Sequence, residues 1–233
     1  MPNELEVKIK EIIPRTYNVK SFRLDLQNPN FKAGQFLCAR LKEEEDCKRY
    51  LSISSSPTET NYLEFTKKIT DSKFSKALNN YKIGDIIKIQ YPLGNFILDE
   101  VSNKIAFLSG GIGITPIRSI CKYAFDKKLN VDILLLYGNR SLKDIVFKED
   151  FDIIKKEYPN FKVTHVLCES CANVEGRVGI INQEIIKEEI PDYTTRKFYI
   201  CGPPGMVSAM KNILISELSF KEDSIVTENF IGY

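Results

Sequence analysis

The chain has 233 residues, of which 43% are hydrophobic and 27% charged, values ordinary for a soluble globular chain of one or two domains. Lys and Arg number 33 against 31 Asp and Glu, a formal net charge of +2, so no excess of base marks a nucleic-acid surface. With 12 Gly and 10 Pro the composition excludes collagen-like, fibrous and disordered classes, and the length is enough to bury a full core.

The first half reads as short alternating or β-branched runs. They are Leu5–Ile13, Tyr17–Leu26, Gln35–Leu41, Tyr50–Ser54, Tyr62–Ile69 and Asp85–Tyr91, separated by turn residues at Pro14, Asn28-Pro29-Asn30, Pro57, Gly84 and Pro92-Leu93-Gly94. Six short strands at this spacing predict an antiparallel barrel or sandwich, read here as a six-stranded β-barrel over residues 1–98. One helical insert is expected at Ser75–Tyr81.

Beyond Asp99–Asn103, the best boundary, the period changes. Strand-like Ile105–Leu108, Val131–Tyr137, Lys162–Leu167 and Phe198–Ile200 alternate with helix-length Pro116–Lys127, Phe147–Tyr158, Ile181–Glu189 and Met206–Leu218, and Ile225–Phe230 closes the chain. Such alternation predicts a doubly wound α/β domain with a parallel sheet over residues 104–233. The longest uncharged stretches, Ile105–Ile117 and Phe198–Met210, are shorter than the about 20 apolar residues of a spanning helix and contain Gly and Pro. Met1-Pro2-Asn3-Glu4-Leu5-Glu6 has no signal-peptide character, and six cysteines then read as reduced thiols, so a cytoplasmic location is expected.

Ser109-Gly110-Gly111-Ile112-Gly113-Ile114-Thr115-Pro116 follows the first strand of the second half and opens a helix. Glycines allow a tight turn and close approach of a ligand, and a helix start with open N–H groups suits a pyrophosphate. Thr115 is expected as N-cap and Pro116 as the first helical residue. The alternative is a Gly-rich turn without a ligand. Cys168-Glu169-Ser170-Cys171 is the one CxxC; with His165 as the sole histidine it lacks the partners of a zinc site, and too few cysteines cluster for an iron–sulfur centre, so no metal is expected.

Several motifs together resemble the ferredoxin–NADP reductase superfamily. Gly110–Pro116 is similar to its nicotinamide-dinucleotide loop and Cys201-Gly202-Pro203-Pro204-Gly205-Met206 to its Cys-Gly-Pro motif. Arg49-Tyr50-Leu51-Ser52-Ile53-Ser54 resembles the flavin-binding Arg-x-Tyr-Ser segment, with Leu51 where the family has Tyr. Phe31–Phe36, Pro92–Phe96, Tyr137-Gly138-Asn139-Arg140, Gly176–Gly179 and the terminal Glu228-Asn229-Phe230 also have counterparts, so the resemblance covers nearly the whole chain.

The resemblance implies a flavoprotein that passes hydride from NADH or NADPH to FAD, favoured over FMN, and then electrons to ferredoxin, flavodoxin, a cytochrome or an oxygenase component. It implies flavin contacts from Arg49, Tyr50, Leu51, Ser52, Ser54, Lys67, Ser72, Phe74 and Ser75, with Phe230 or Tyr233 stacked over the flavin. It implies dinucleotide contacts from Gly110, Gly111, Gly113, Thr115, Pro116, Arg140, Cys201, Gly202, Pro203 and Met206. Ser52, Cys201 and Glu228 are the expected catalytic set; Glu228 either relays protons or is a strand-end carboxylate. Glu169 after its strand favours a ribose hydroxyl over a 2′-phosphate, hence NADH, although Arg140 or Arg177 offers a counter-charge. The other classes left open are a subunit active only inside a complex and a binding module that has lost its flavin.

Overall fold

The computed structural model describes residues 3–42, 48–99, 101–169 and 176–230. Their contacts divide them into two compact units, Met1–Leu98 with Thr115–Asp126 and Asp99–Ile114 with Lys127–Gly232.

The first unit contains six strands, β1 (Asn3–Thr16), β2 (Val19–Leu24), β3 (Phe36–Arg40), β4 (Lys48–Ser52), β5 (Leu63–Lys68) and β6 (Ile86–Leu93). All pairings are antiparallel, in the order β4-β3-β6-β1-β2-β5, and a bridge between Ile53 and Phe65 joins the two ends. The barrel arises because β1 is long enough to serve two neighbours. Its first residues pair with β6 and its last with β2, the register shifting between Ile9 and Glu11. Phe22 and Phe65 stack at 5.2 Å in the core beside Leu24, Leu37, Leu51 and Ile53. Each such buried side chain contributes about 1.5–3 kcal/mol.

One strand residue breaks the apolar pattern. Glu64 is wholly buried, and its carboxylate accepts from Arg15 Nη2 at 3.1 Å, Arg23 Nε at 3.0 Å and Ser54 Oγ at 2.9 Å. The helix α1 (Lys73–Asn79) starts two residues before the expected position, because Ser72 Oγ caps the amide of Ser75. The helix α2 (Ile114–Asp126) counts with this unit from Thr115 onward. Its buried Arg118 forms a two-pronged ion pair with Glu59 and donates to the Ser54 carbonyl, and Ser119 Oγ donates to the Ser55 carbonyl at 2.6 Å.

The second unit holds β7 (Lys104–Gly110), β8 (Asp132–Asn139), β9 (Phe161–Leu167), β10 (Gly176–Val178), β11 (Lys197–Gly202) and β12 (Ile225–Asn229), all parallel in the order β10-β9-β8-β7-β11-β12. Helices α3 (Lys148–Glu157), α4 (Gln183–Glu189) and α5 (Pro204–Asn212) connect them. Alternate residues serve opposite faces. Ala106, Leu108, Leu136 and Ile200 pack with Ile186 and Val207 of α4 and α5, whereas Tyr137 meets Phe151 of α3. From β7 the chain winds outward through β8, β9 and β10, then returns to the other side of β7 for β11 and β12. The switch point therefore falls between the ends of β7 and β11, where open α/β sheets bind ligands.

Three expectations are corrected. A 3-10 turn over Gly111–Gly113 leads directly into α2 at Ile114, so Thr115 lies inside the helix and is not its N-cap, and Pro116 is the third helical residue rather than the first. The strand β10, three exposed residues without an apolar run, was not anticipated. The last long helix gives way at Ile213–Glu217 to a wider π turn, closed by a bond from the Leu218 amide to the Ile213 carbonyl at 3.0 Å.

Candidate functional site

In the barrel, cross-strand register decides which side chains of β4 face outward. Leu51 stands opposite Leu37 in the core, whereas Ser52 pairs with Phe36 and Tyr50 with Cys38 on the other face. The expected apolar flavin wall at Leu51 is thus a core residue, 7% exposed, because it shares its face with Ile53. Tyr50 is the aromatic presented outward, 60% exposed and edge-on to Phe36 at 5.7 Å. Ser52 is buried at the end of β4.

At one end of the barrel three expected residues converge. The Arg49 guanidinium lies 5.8 Å from the ring of Phe74, itself fully buried at the start of α1. Lys67 is buried on β5, its ammonium donating to the Lys68 carbonyl at 2.9 Å. Burial first, then the positive charges of Arg49 and Lys68, push its pKa down to about 8. A buried ammonium beside a half-buried guanidinium is stabilised by an anion, so the pair fits the phosphates of a flavin dinucleotide. The Ser75 hydroxyl is committed to Thr70 and Ser72, and that of Ser54 to Glu64 and Thr66, so both shape their turns from within. Tyr233 lies outside the described residues, as do Ser170 and Cys171 of the CxxC segment.

In the second unit, Gly110–Gly113 and Gly202–Met206 meet at the switch point. A Cβ at Gly113 would fall 2.6 Å from the Gly202 Cα and closer still to the Cys201 carbonyl oxygen. Gly111 adopts φ +52° with open space around it, a conformation suited to glycine. Because the 3-10 turn begins at Gly111, the amides at the start of the helical run come from the glycine loop itself. Pro203 precedes α5, with Met206 in its first turn.

The register also aligns Ser109, Cys201 and Glu228 across β7, β11 and β12. Cys201 is fully buried, and burial followed by the nearby Glu228 raises its thiol pKa well above the ordinary range, so it remains protonated. The Ser109 hydroxyl is buried without a hydrogen-bond partner, although no sequence signal distinguished it from the loop. An orphaned polar atom beside a glycine cradle fits a bound dinucleotide. Phe230 is half-buried after β12 and donates its N–H to the Gly202 carbonyl at 3.1 Å. At the ends of β8 and β9, the exposed Arg140 Nε lies 3.3 Å from Glu169 Oε1.

A barrel that sets the buried Lys67 beside the half-buried Arg49, and a parallel sheet with a glycine cradle at its switch point, fit a flavin- and nicotinamide-binding oxidoreductase framework. Residues 4–97 match the oxidoreductase FAD-binding domain and residues 107–212 the oxidoreductase NAD-binding domain. The chain belongs to the ferredoxin–NADP reductase superfamily and carries both its FAD-binding and its NAD-binding domain. It is 32% identical to NADH-cytochrome b5 reductase 1 of Dictyostelium discoideum, over 94% of this chain and 80% of that protein. It is 31% identical to the glycine betaine monooxygenase reductase subunit of Chromohalobacter salexigens over 90% of its own length, and spans 60% of that relative. The cytochrome b5 reductase domain of Ulva prolifera nitrate reductase shares the fold, with a TM-score of 0.86 at 21% identity and 97% coverage of both chains. Among the described residues no helix is long and apolar enough to cross a membrane.

Proposed function

We propose that this chain is an NAD(P)H-dependent flavin reductase, holding FAD in a barrel domain of residues 1–98 and the dinucleotide in a domain of residues 104–233. The observation that carries this reading is the glycine cradle at the sheet's switch point, in a chain whose barrel also sets the half-buried Arg49 beside the buried Lys67. Bound FAD supplies the hydride and electron chemistry.

The protein's own part is to bind, orient and insulate. Arg49 and Lys67 neutralise the flavin phosphates, while Tyr50 and Ser52 form the outward edge of β4 toward the ring. The amides of Gly111–Gly113 take the dinucleotide's pyrophosphate. Cys201 stays a neutral thiol and acts as a compact wall for the nicotinamide, with no nucleophilic step asked of it. Glu228, in register with Cys201, is placed to hold a proton or an amide at that wall, and Phe230 covers the flavin until the nicotinamide arrives.

A one-electron acceptor protein completes the cycle: ferredoxin, flavodoxin, a cytochrome or an oxygenase component. The oxygenase reading is favoured by the similarity to a monooxygenase reductase subunit, of which this chain spans three fifths. That this relative is a reductase subunit equally favours a subunit acting inside a larger assembly. We place the protein in the cytoplasm, in keeping with the free thiols of Cys38, Cys121 and Cys201. The test is NADH oxidation coupled to ferricyanide, an artificial acceptor that bypasses the partner. Steady turnover is expected with added FAD, and none without a flavin.

Two further outcomes follow. Lys67 is charged below about pH 8 and neutral above it, and phosphate binding favours the charged form. FAD affinity is therefore expected to fall by up to about tenfold per pH unit above that value, and Lys67→Met to flatten the slope, as read by flavin fluorescence quenching. At the adenosine end, Glu169→Ala frees Arg140 from its carboxylate. The NADH-over-NADPH ratio of kcat/KM is expected to drop about tenfold, the equivalent of one charge-assisted contact.

A further inference from the structure

The glycine loop at the switch point must hold one conformation, and its glycines do little to impose it. Gly111 sits at φ +52° with open space where a Cβ would stand, so packing at that point does not hold it. Glycine enters this region easily and leaves it as easily. The Gly111 carbonyl accepts from the Ile114 amide, which closes the 3-10 turn, and from the phenol of Tyr137 at 3.1 Å. A planar peptide turns as a unit, so fixing this carbonyl fixes the direction of the loop that follows.

Tyr137 is wholly buried on β8, in register with Ser109 of β7 and His165 of β9. Its ring packs edge-on to Phe151 at 6.4 Å and tilted against His165 at 5.9 Å. A ring packed in this way aims its hydroxyl in one direction. Burial pushes the phenol well above the usual tyrosine range, so it stays protonated and keeps its donor.

The same oxygen accepts from the Val146 amide at 3.3 Å. Val146 belongs to the segment between β8 and α3, which begins with Arg140 and the turn that Asp144 closes on Ser141 Oγ at 2.7 Å. One phenol thus ties two loops at the carboxyl ends of neighbouring strands. The first is assigned the dinucleotide's pyrophosphate and the second its adenosine end.

We propose that Tyr137 is a positioning residue for the dinucleotide, its hydroxyl holding Gly111 on one side and Val146 on the other so that both loops stay set for one ligand. This rests on the dinucleotide reading of the glycine cradle. Tyr137 acts only through the backbone of the two loops. A loop released from this bond spends part of its time in other conformations, and the apparent affinity falls by the fraction lost. The loss of one such hydrogen bond corresponds to about fivefold.

Tyr137→Phe removes the hydroxyl and keeps the ring. Tyr158→Phe is the matched control, because its hydroxyl also bonds backbone, the carbonyls of Leu129 at 2.6 Å and Val131 at 2.9 Å, but ahead of β8 at the opposite end of the sheet. Both variants are expected to lower the thermal midpoint. In the FAD-loaded proteins, calorimetric titration with NAD⁺ is expected to show binding about fivefold weaker for Tyr137→Phe and within about twofold of the unmutated protein for Tyr158→Phe. With ferricyanide as acceptor, Tyr137→Phe is expected to raise the KM for NADH and leave kcat within about twofold. Amide exchange in the unmutated protein gives a reading that needs no variant: saturating NAD⁺ is expected to slow exchange at Val146 together with the glycine loop.

Undiminished NAD⁺ affinity in Tyr137→Phe would overturn the proposal. So would equal losses in the two variants, which would make the effect one of general stability, or exchange at Val146 that NAD⁺ leaves unchanged. Unmutated, FAD-loaded protein that binds no NAD⁺ would overturn the dinucleotide reading itself, and this proposal with it.

Discussion

Glu64→Ala is expected to lower the stability of the flavin-binding unit by about 3 kcal/mol, a large share of a typical domain's total. The carboxylate is completely buried and receives three donors, two of them guanidinium groups. Its removal takes from Arg15 and Arg23 the buried carboxylate they share, while Arg23 keeps its pair with Glu11 at 2.8 Å. The cost lies at the lower end of the range for a broken buried pair, because their side chains keep 16% and 24% of their exposure. Glu64 also holds the serine turn. Its carbonyl accepts from the amides of Ser54 and Ser55, and its amide donates to Ser55 Oγ at 2.9 Å. Glu64→Gln keeps the shape and some of the hydrogen bonds, so it is expected to lose less than the alanine variant. Urea unfolding measures both; a midpoint that falls with an unchanged slope reports stability itself.

The second large effect concerns two glycines of the nucleotide loop whose neighbours differ. Gly113→Ala pushes a methyl group against the backbone of Cys201 and Gly202, which belongs to the central strand β11 and has no room to yield. About 3 kcal/mol of strain is expected, with dinucleotide binding reduced at least tenfold as the two loops separate. Gly110→Ala meets the Met206 sulfur instead, the far part of a flexible side chain that can swing aside. Its cost is expected to be about 1 kcal/mol. Thermal unfolding and NADH binding of the two variants, compared side by side, check the contrast. Equal losses would show that loop composition, rather than this particular backbone contact, matters.

Much of the fold was legible because strands and helices announce themselves by period. All six barrel runs became strands, and the five anticipated α/β strands lie within a few residues of their expected places, since β-branched and apolar alternation is a local property. The strand β10 escaped because Gly176-Arg177-Val178 buries nothing; only pairing with β9 makes it a strand. The glycine loop and the Cys-Gly-Pro segment were readable as separate motifs. That they meet is set by the switch between β7 and β11, which is a property of topology.

Long-range register likewise hid the row Ser109–Cys201–Glu228, whose members are far apart in the chain. Sequence alternation correctly placed Leu51 and Tyr50 on opposite faces of β4, but not which face is the core. That was decided by Leu37 across the ladder. A glutamate in a strand ordinarily faces water, so the burial of Glu64 could be inferred only once Arg15, Arg23 and Ser54 were seen to converge on it.

The central claim is that one chain brings a nicotinamide dinucleotide to a bound flavin. Anaerobic addition of NADH to the FAD-loaded protein, followed by visible absorbance, tests it most directly. Stoichiometric bleaching of the flavin band is the predicted result, with NADPH acting more slowly while Glu169 is in place. A protein that takes up no FAD, or whose bound flavin neither nucleotide reduces, would contradict the account.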